Sequence, residues 1–154
     1  GRDLRCEEDI KEYGYKFHMN DVTAAMGIEQ LKYVKANIEK HQANAVRYDE
    51  AFASLKNVRP LRYENDRTSV YWLYTIRVKQ RDRFMQHMND AGVTASQVHV
   101  RNDIHTVFRH FEVSLPGVDE FTSEQISIPV GWWLSDDDIE HIIETVIQYD
   151  KIPG

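Results

Sequence analysis

From Met19 onward the apolar residues settle into helical spacing. Ala24, Leu31, Ile38, Ala45 and Phe52 stand seven apart, and Gly27, Val34, His41, Tyr48 and Leu55 form a second series offset by three or four. Together they make one stripe along one face of a helix. Glu29, Lys32, Lys35, Glu39, Lys40, Arg47 and Glu50 fall largely off it, with Lys35/Glu39 and Arg47/Glu50 spaced to pair weakly on the wet side. Asn20 can cap the start, Asp21 suits the positive end of the helix dipole, and Gly27 leaves a gap that another backbone can approach. At 1.5 Å per residue, a helix over residues 21–56 would extend over roughly 54 Å, more than the width of a small domain. Such a helix bends or joins two bodies, and the polar loop that feeds it, residues 13–20, is the stretch around which the chain is organised.

The period then changes. Residues 57–65 contain Pro60 and read as a short extended piece or a turn. Over 69–78, Val70, Trp72, Tyr74, Ile76 and Val78 alternate with Tyr71, Leu73, Thr75 and Arg77, which predicts a strand. Residues 82–91 place Phe84, Met85 and Met88 on one helical face and stop at Gly92, a position for a left-handed C-cap. Residues 93–100 are again β-rich and predict a further strand. The stretch 101–124 has no clean period, with a turn expected at Pro116 and Gly117, and long irregular stretches of this kind often carry function. Residues 125–130 form a short strand that Pro129 restricts to an end or an edge. Ser135 opens the last helix, with Asp138 three residues on and Ile139, Ile142, Ile143 and Val146 as its apolar face. Residues 1–13 are a polar lead-in with a short helical turn expected at 7–12. The order predicts an α/β fold, a long N-terminal helix plus a small mixed sheet covered by helices.

Composition narrows the function classes. At 154 residues, 42% apolar and 29% charged, the chain suits one domain with a real core. A net charge of -6 argues against nucleic acid or an anionic membrane as the main partner. Cys6 is the only cysteine, so no intrachain disulfide forms and a cytoplasmic setting is the default. No apolar run approaches the ~18 residues that span a bilayer, and the N-terminal sequence is too charged for a signal peptide. The chain begins with Gly in the middle of charged sequence, which reads as a piece of a longer protein.

His99, Arg101, Asn102, Asp103 and His105 are the densest polar cluster, at a predicted strand end where α/β proteins build sites. Three readings stand. A metal would need His99, Asp103 and His105 to converge, at a spacing that fits no closed zinc pattern. A solvated loop with local hydrogen bonds is the plain one. In an anion or sugar site, Arg101 would fork onto a phosphate while Asn102 and the two histidines meet hydroxyls. Lys16 and His18 precede a helix N-terminus that favours anions, so they make a phosphate clamp unless they are simply basic residues before a helix. Trp132 and Trp133 could stack on a ring, although core or interface is the commoner role for such pairs. His41, on the apolar stripe, reads as a hydrogen-bonded core histidine, and Cys6 has no activating neighbour except Arg5. There is no glycine-rich phosphate loop, no Ser/His/Asp order in a recognisable context and no convincing acidic pair. No catalytic residue and no metal set is therefore assigned.

Residues 14–31, GYKFHMNDVTAAMGIEQL, resemble the signature that opens the C-terminal part of the DegT/DnrJ/EryC1/StrS family of PLP-dependent nucleotide-sugar aminotransferases. Gly14, Tyr15, Phe17, Met19, Asp21, Ala24, Ala25, Gln30 and Leu31 fit it. WLYTIRV followed by RDRFMQHMNDAGV is similar to the family's strand, Arg-Asp-opened helix and Gly turn. QVHV stands where the family has a His-Tyr-Pro run, and IPVGWWLSDDDIEHIIETV resembles its closing strand and capped helix. His18 stands where Asn or Arg is usual, and Arg101 replaces the Pro after the histidine motif.

The resemblance implies the C-terminal domain of a fold type I PLP-dependent transferase that works as a homodimer. Lys16 and His18 would reach across the interface to the neighbour's pyridoxal 5'-phosphate, and Tyr15, His99, Arg101, Asn102 and His105 would line the nucleotide-sugar site. An amino group would pass from an amino-acid donor such as glutamate, through pyridoxamine phosphate, to a nucleotide-linked keto-sugar. The Schiff-base lysine of this family belongs to a large N-terminal domain that this chain does not contain. Residues 1–19 are then the lead-in and loop from that missing domain, and 20–154 the small α/β domain including a bridging helix over 20–56. Such a fragment is inactive alone, and its unpartnered stripe favours self-association. Two other readings stand beside it: a PLP-dependent sugar 3-dehydratase of the same family, and a non-catalytic α/β oligomerisation module.

Overall fold

The computed structural model describes residues 9–64 and 66–152. The long helix, α1, runs Asp21–Phe52, and its first turn is closed by Asn20, whose side-chain oxygen accepts from the Thr23 amide at 2.9 Å. Only the C-terminal part of its stripe is covered. Ala45, Tyr48 and Phe52 are buried, whereas Leu31 is 66% exposed and Val34 43%. One continuous periodicity thus carries a core face and an open face. The helix stops short of residue 56 because the amides of Lys56 and Asn57 donate to the Asp150 carboxylate at 3.0 and 2.6 Å, which turns the chain into the sheet.

The sheet has the order β1-β2-β3, with β1 Val58–Pro60, β2 Tyr74–Val78 and β3 Gln125–Ile128. Both pairings are antiparallel, where a mixed sheet was expected. The segment 93–100, expected as a further strand, makes only the bridge Ser96↔Ser127 and adds no partner of its own direction. The register places Tyr74 opposite Ile128, Ile76 opposite Ile126 and Val58 opposite Val78 on one face, and Thr75, Arg77, Arg59, Gln125 and Ser127 on the other. The apolar face packs against the end of α1, against α2 (Arg81–Asp90) and, through them, α4 (Asp136–Asp150). Tyr48 meets Phe52 at 5.5 Å and Tyr74 at 5.0 Å between ring centroids, and Phe84 meets Tyr149 edge-on at 5.0 Å. The polar face carries α3 (Pro116–Glu124), where Glu124, 8% exposed, accepts from Arg59 at 2.7 Å and from Arg77 at 2.9 Å. A carboxylate that far out of water needs such partners to offset its lost hydration.

Several local expectations are corrected by nonlocal contacts. Of the strand expected over 69–78, only 74–78 pairs. The carbonyl of Ser69 accepts from Gln42 at 2.9 Å and that of Tyr71 faces His41 Nδ1 at 2.8 Å, so this backbone is used by α1 rather than by the sheet. Tyr71 sits at φ 48, a region that side-chain-bearing residues avoid. The stretch 101–124, expected as irregular, contains a 3-10 helix, Thr106–Phe111, and α3. Pro116 opens α3 instead of turning the chain, since the first residue of a helix needs no amide donor. Arg47 pairs with Asp136 and Glu140 of α4, at 2.9 and 3.3 Å, not with Glu50. Residues 9–12 form no helical turn, and Glu7 and Glu8 of that expectation lie outside the described residues, as does Cys6.

Other elements stand as the sequence predicts. Gly92 has φ 80 at the end of α2, and Lys35 and Glu39 approach to 3.9 Å. His41, half-buried, makes the hydrogen-bonded contact just described. Ser135 and Asp138 form a reciprocal capping box: the hydroxyl accepts from the Asp138 amide at 3.1 Å, and the Asp138 carboxylate accepts from the Ser135 amide at 2.8 Å. The Ser135 hydroxyl also donates to that carboxylate at 2.7 Å, and this bond, then the one from the Ser135 amide, holds the Asp138 carboxyl below the usual carboxylate range. Ser135→Ala is expected to cost about 1 kcal/mol in urea unfolding of this chain, the usual worth of such a cap. An unchanged midpoint would show that α4 is held by its buried isoleucines alone.

Candidate functional site

The loop before α1 carries two basic side chains, Lys16 and His18. Lys16 and His18 are exposed, and no hydrogen bond or ion pair joins either to another described residue. Tyr15 and Phe17 are each 89% exposed, with their rings 6.2 Å apart. The loop runs straight into the capped N-terminus of α1, whose amides and dipole favour an anion. Two nitrogen donors at such a place have the chemistry of a phosphate holder. They fit the phosphate end of pyridoxal 5'-phosphate. The aldehyde end needs a sheltered lysine amine, and no described lysine is buried.

The segment 99–105 is arranged differently from what its polar residues suggest. His99 is exposed and lies edge-on to Trp72 at 5.9 Å, while its carbonyl accepts from the Gln125 side chain. Asn102 is exposed, with its carbonyl taking the His105 amide at 3.2 Å. Arg101 is held by two carboxylates, donating from Nε to Asp103 at 2.6 Å and from its other arm to Asp119. The pairing with Asp103, then Asp119, raises the Arg101 pKa and keeps the Asp103 carboxyl below its ordinary range. A phosphate at Arg101 would have to displace those groups. His105 is buried, and its Nδ1 accepts the Ile10 amide at 3.4 Å. Asp103 and His105 therefore turn to different partners, and no three potential metal ligands gather among the described residues.

One arrangement carries no signal in the sequence. Residues 9–13 lie as a strap on the start of the 3-10 helix. Asp9 accepts from the Thr106 amide at 2.8 Å and from the Thr106 hydroxyl at 2.7 Å, and these two bonds lower the Asp9 pKa. The Ile10 carbonyl accepts from the Val107 amide at 3.0 Å, and the Tyr13 ring meets Phe108 edge-on at 6.5 Å. Asp9 belongs to a lead-in without period, and its partner is 97 residues away.

On the open face of α1, Gly27, Gln30, Leu31, Tyr33, Val34 and Asn37 line a concavity of about 640 Å³ with Trp132 at its rim. Trp132 and Trp133 are both exposed. Among the described residues, no helix is long and apolar enough to cross a membrane.

Residues 2–147 match the model of the DegT/DnrJ/EryC1/StrS aminotransferase family. Over 90% of its length the chain is 25% identical to the spore coat polysaccharide biosynthesis protein SpsC of Bacillus subtilis, and it covers 38% of that protein. It is 26% identical, over 91% of its length, to a UDP-4-amino-4,6-dideoxy-N-acetyl-beta-L-altrosamine transaminase of Campylobacter jejuni and covers 39% of it. Among solved structures, the sugar aminotransferase CalS13 of Micromonospora echinospora superposes with a TM-score of 0.82 at 34% identity, over 96% of this chain and 40% of that one. The chain thus spans about two fifths of the length of the relatives it matches.

Proposed function

This chain belongs to the DegT/DnrJ/EryC1/StrS aminotransferase family, and from that premise we propose that it is the C-terminal part of a PLP-dependent enzyme that converts a nucleotide-linked keto-sugar to an amino-sugar. The observation that carries the reading is the pair Lys16 and His18, two exposed and unclaimed cationic or donor groups beside the N-terminus of α1. Pyridoxal 5'-phosphate, when bound, supplies the amino-group carrier between donor and acceptor. Lys16 and His18 hold its phosphate across a homodimer interface, with the open face of α1 lying against the rest of the assembly. Tyr15, His99 and Asn102, all exposed, face the nucleotide-sugar. Arg101 and His105 hold the segment that presents them, and Arg101 meets the sugar-nucleotide where its carboxylate partners release it. The catalytic lysine comes from the large domain upstream, so residues 1–19 are the passage from that domain and 20–154 the small one. A cytoplasmic setting belongs to the same proposal.

The test is product analysis on the full-length protein supplied with pyridoxal 5'-phosphate, glutamate and a nucleoside diphosphate-linked keto-sugar. The expected result is an amino-sugar formed in equal amount with 2-oxoglutarate. Loss of a sugar hydroxyl with no amine gained would turn the reading to a dehydratase. A protein that takes up neither cofactor nor nucleotide-sugar would leave the scaffold as an assembly module.

A further inference from the structure

We infer that Asp9, acting through Thr106, is a positioning residue for the phosphate-holding loop; the inference rests on the proposed aminotransferase reading for its ligand and on the strap geometry for its mechanism. The N-cap residue of the 3-10 helix, His105, makes no side-chain cap bond, and the first free amide, that of Thr106, is taken instead by Asp9. Charge-assisted bonds of this kind are roughly twice as strong as neutral ones. Among the described residues, the hydrogen bonds that tie residues 9–19 to the distant part of the chain all go to 105–107. The strap therefore fixes the loop at one end, and the Asn20 cap of α1 fixes it at the other. Lys16 lies three residues beyond Tyr13, so with Tyr13 held on Phe108 its Cα stays within roughly 11 Å of that point. Release of the strap would leave the loop anchored by α1 alone, and the ordering entropy would then oppose phosphate binding. The same contacts hold His105 and the segment behind it, so one carboxylate sets both candidate subsites.

The experiment compares Asp9→Ala, Asp9→Asn, Thr106→Ala and Asp9→Ala/Thr106→Ala in the full-length protein by pyridoxal 5'-phosphate titration, steady-state kinetics and amide hydrogen exchange. Asp9→Ala is expected to weaken cofactor binding about tenfold, with kcat at saturating cofactor within about twofold of the parent, since the chemistry itself is untouched. Asp9→Asn should recover part of the loss, because its amide oxygen still accepts one of the two bonds. The double variant should be no worse than Asp9→Ala alone, which is what a shared contact requires. Exchange over residues 13–19 should quicken in Asp9→Ala. Cofactor affinity and exchange both equal to the parent would overturn the inference, as would additive losses from Asp9 and Thr106. If the parent protein takes up no cofactor, the functional reading fails instead, and exchange over 13–19 alone decides whether Asp9 positions the loop.

Discussion

Alanine at both Lys16 and His18 in the full-length protein is expected to weaken pyridoxal 5'-phosphate binding by on the order of a hundredfold or more, because hydrogen bonds to a charged group are worth about 1.5 to 3 kcal/mol each. In the single chain both side chains are exposed and have no described partner, so the same double substitution in this chain alone, without cofactor, should leave its urea midpoint unchanged. Lys16→Arg should keep most of the affinity, since it retains charge and donors, though a guanidinium directs them differently. An absorbance titration of the cofactor measures all three proteins. Parent-like affinity in the double variant would mean that the phosphate is held by other groups, and the loop would lose its assigned role.

Phe52→Ala is expected to cost about 3–5 kcal/mol of stability in this chain, the usual range for an aromatic removed from a packed core. Phe52 is 1% exposed, stacked on Tyr48 and edge-on to Tyr74 at 6.3 Å, so its loss opens a cavity between α1 and the sheet. Domains of this size hold only about 5–15 kcal/mol in total, and the variant should populate unfolded chain well below the parent's urea midpoint. Leu31→Ala, on the same stripe and at the same heptad position, is expected to change the single chain by no more than about 0.5 kcal/mol. Urea unfolding of the two variants side by side measures the difference. Equal costs would mean that the N-terminal half of α1 is packed in the single chain after all.

That contrast shows what sequence pattern can and cannot reach. The stripe of α1 is visible from Ala24 to Leu55, but nothing along it distinguishes Leu31 from Phe52. Which part is covered depends on where β2, β3 and α4 come to lie. Arg47 likewise has a local partner in Glu50 and takes two distant ones on α4. At the candidate site, the loop with Lys16 and His18 is legible because it precedes a helix start and resembles a family signature. The 99–105 cluster is legible as polar sequence only. That Arg101 pairs with Asp103 and Asp119, and that His105 receives the Ile10 amide, depends on residues far along the chain.

The sequence by itself determined the parts whose physics is local. The Asn20 cap, the capping box of Ser135 and Asp138, the left-handed Gly92 and the strand end at Pro129 each arise from a side chain and the backbone within a few residues of it. The tertiary structure decided the rest: the antiparallel sheet, the withdrawal of residues 69–73 from it and the strap of Asp9 on Thr106. Burial and hydrogen bonding between distant segments exist only after the chain has closed on itself. A residue's type states which bonds it can make, and the fold selects among them.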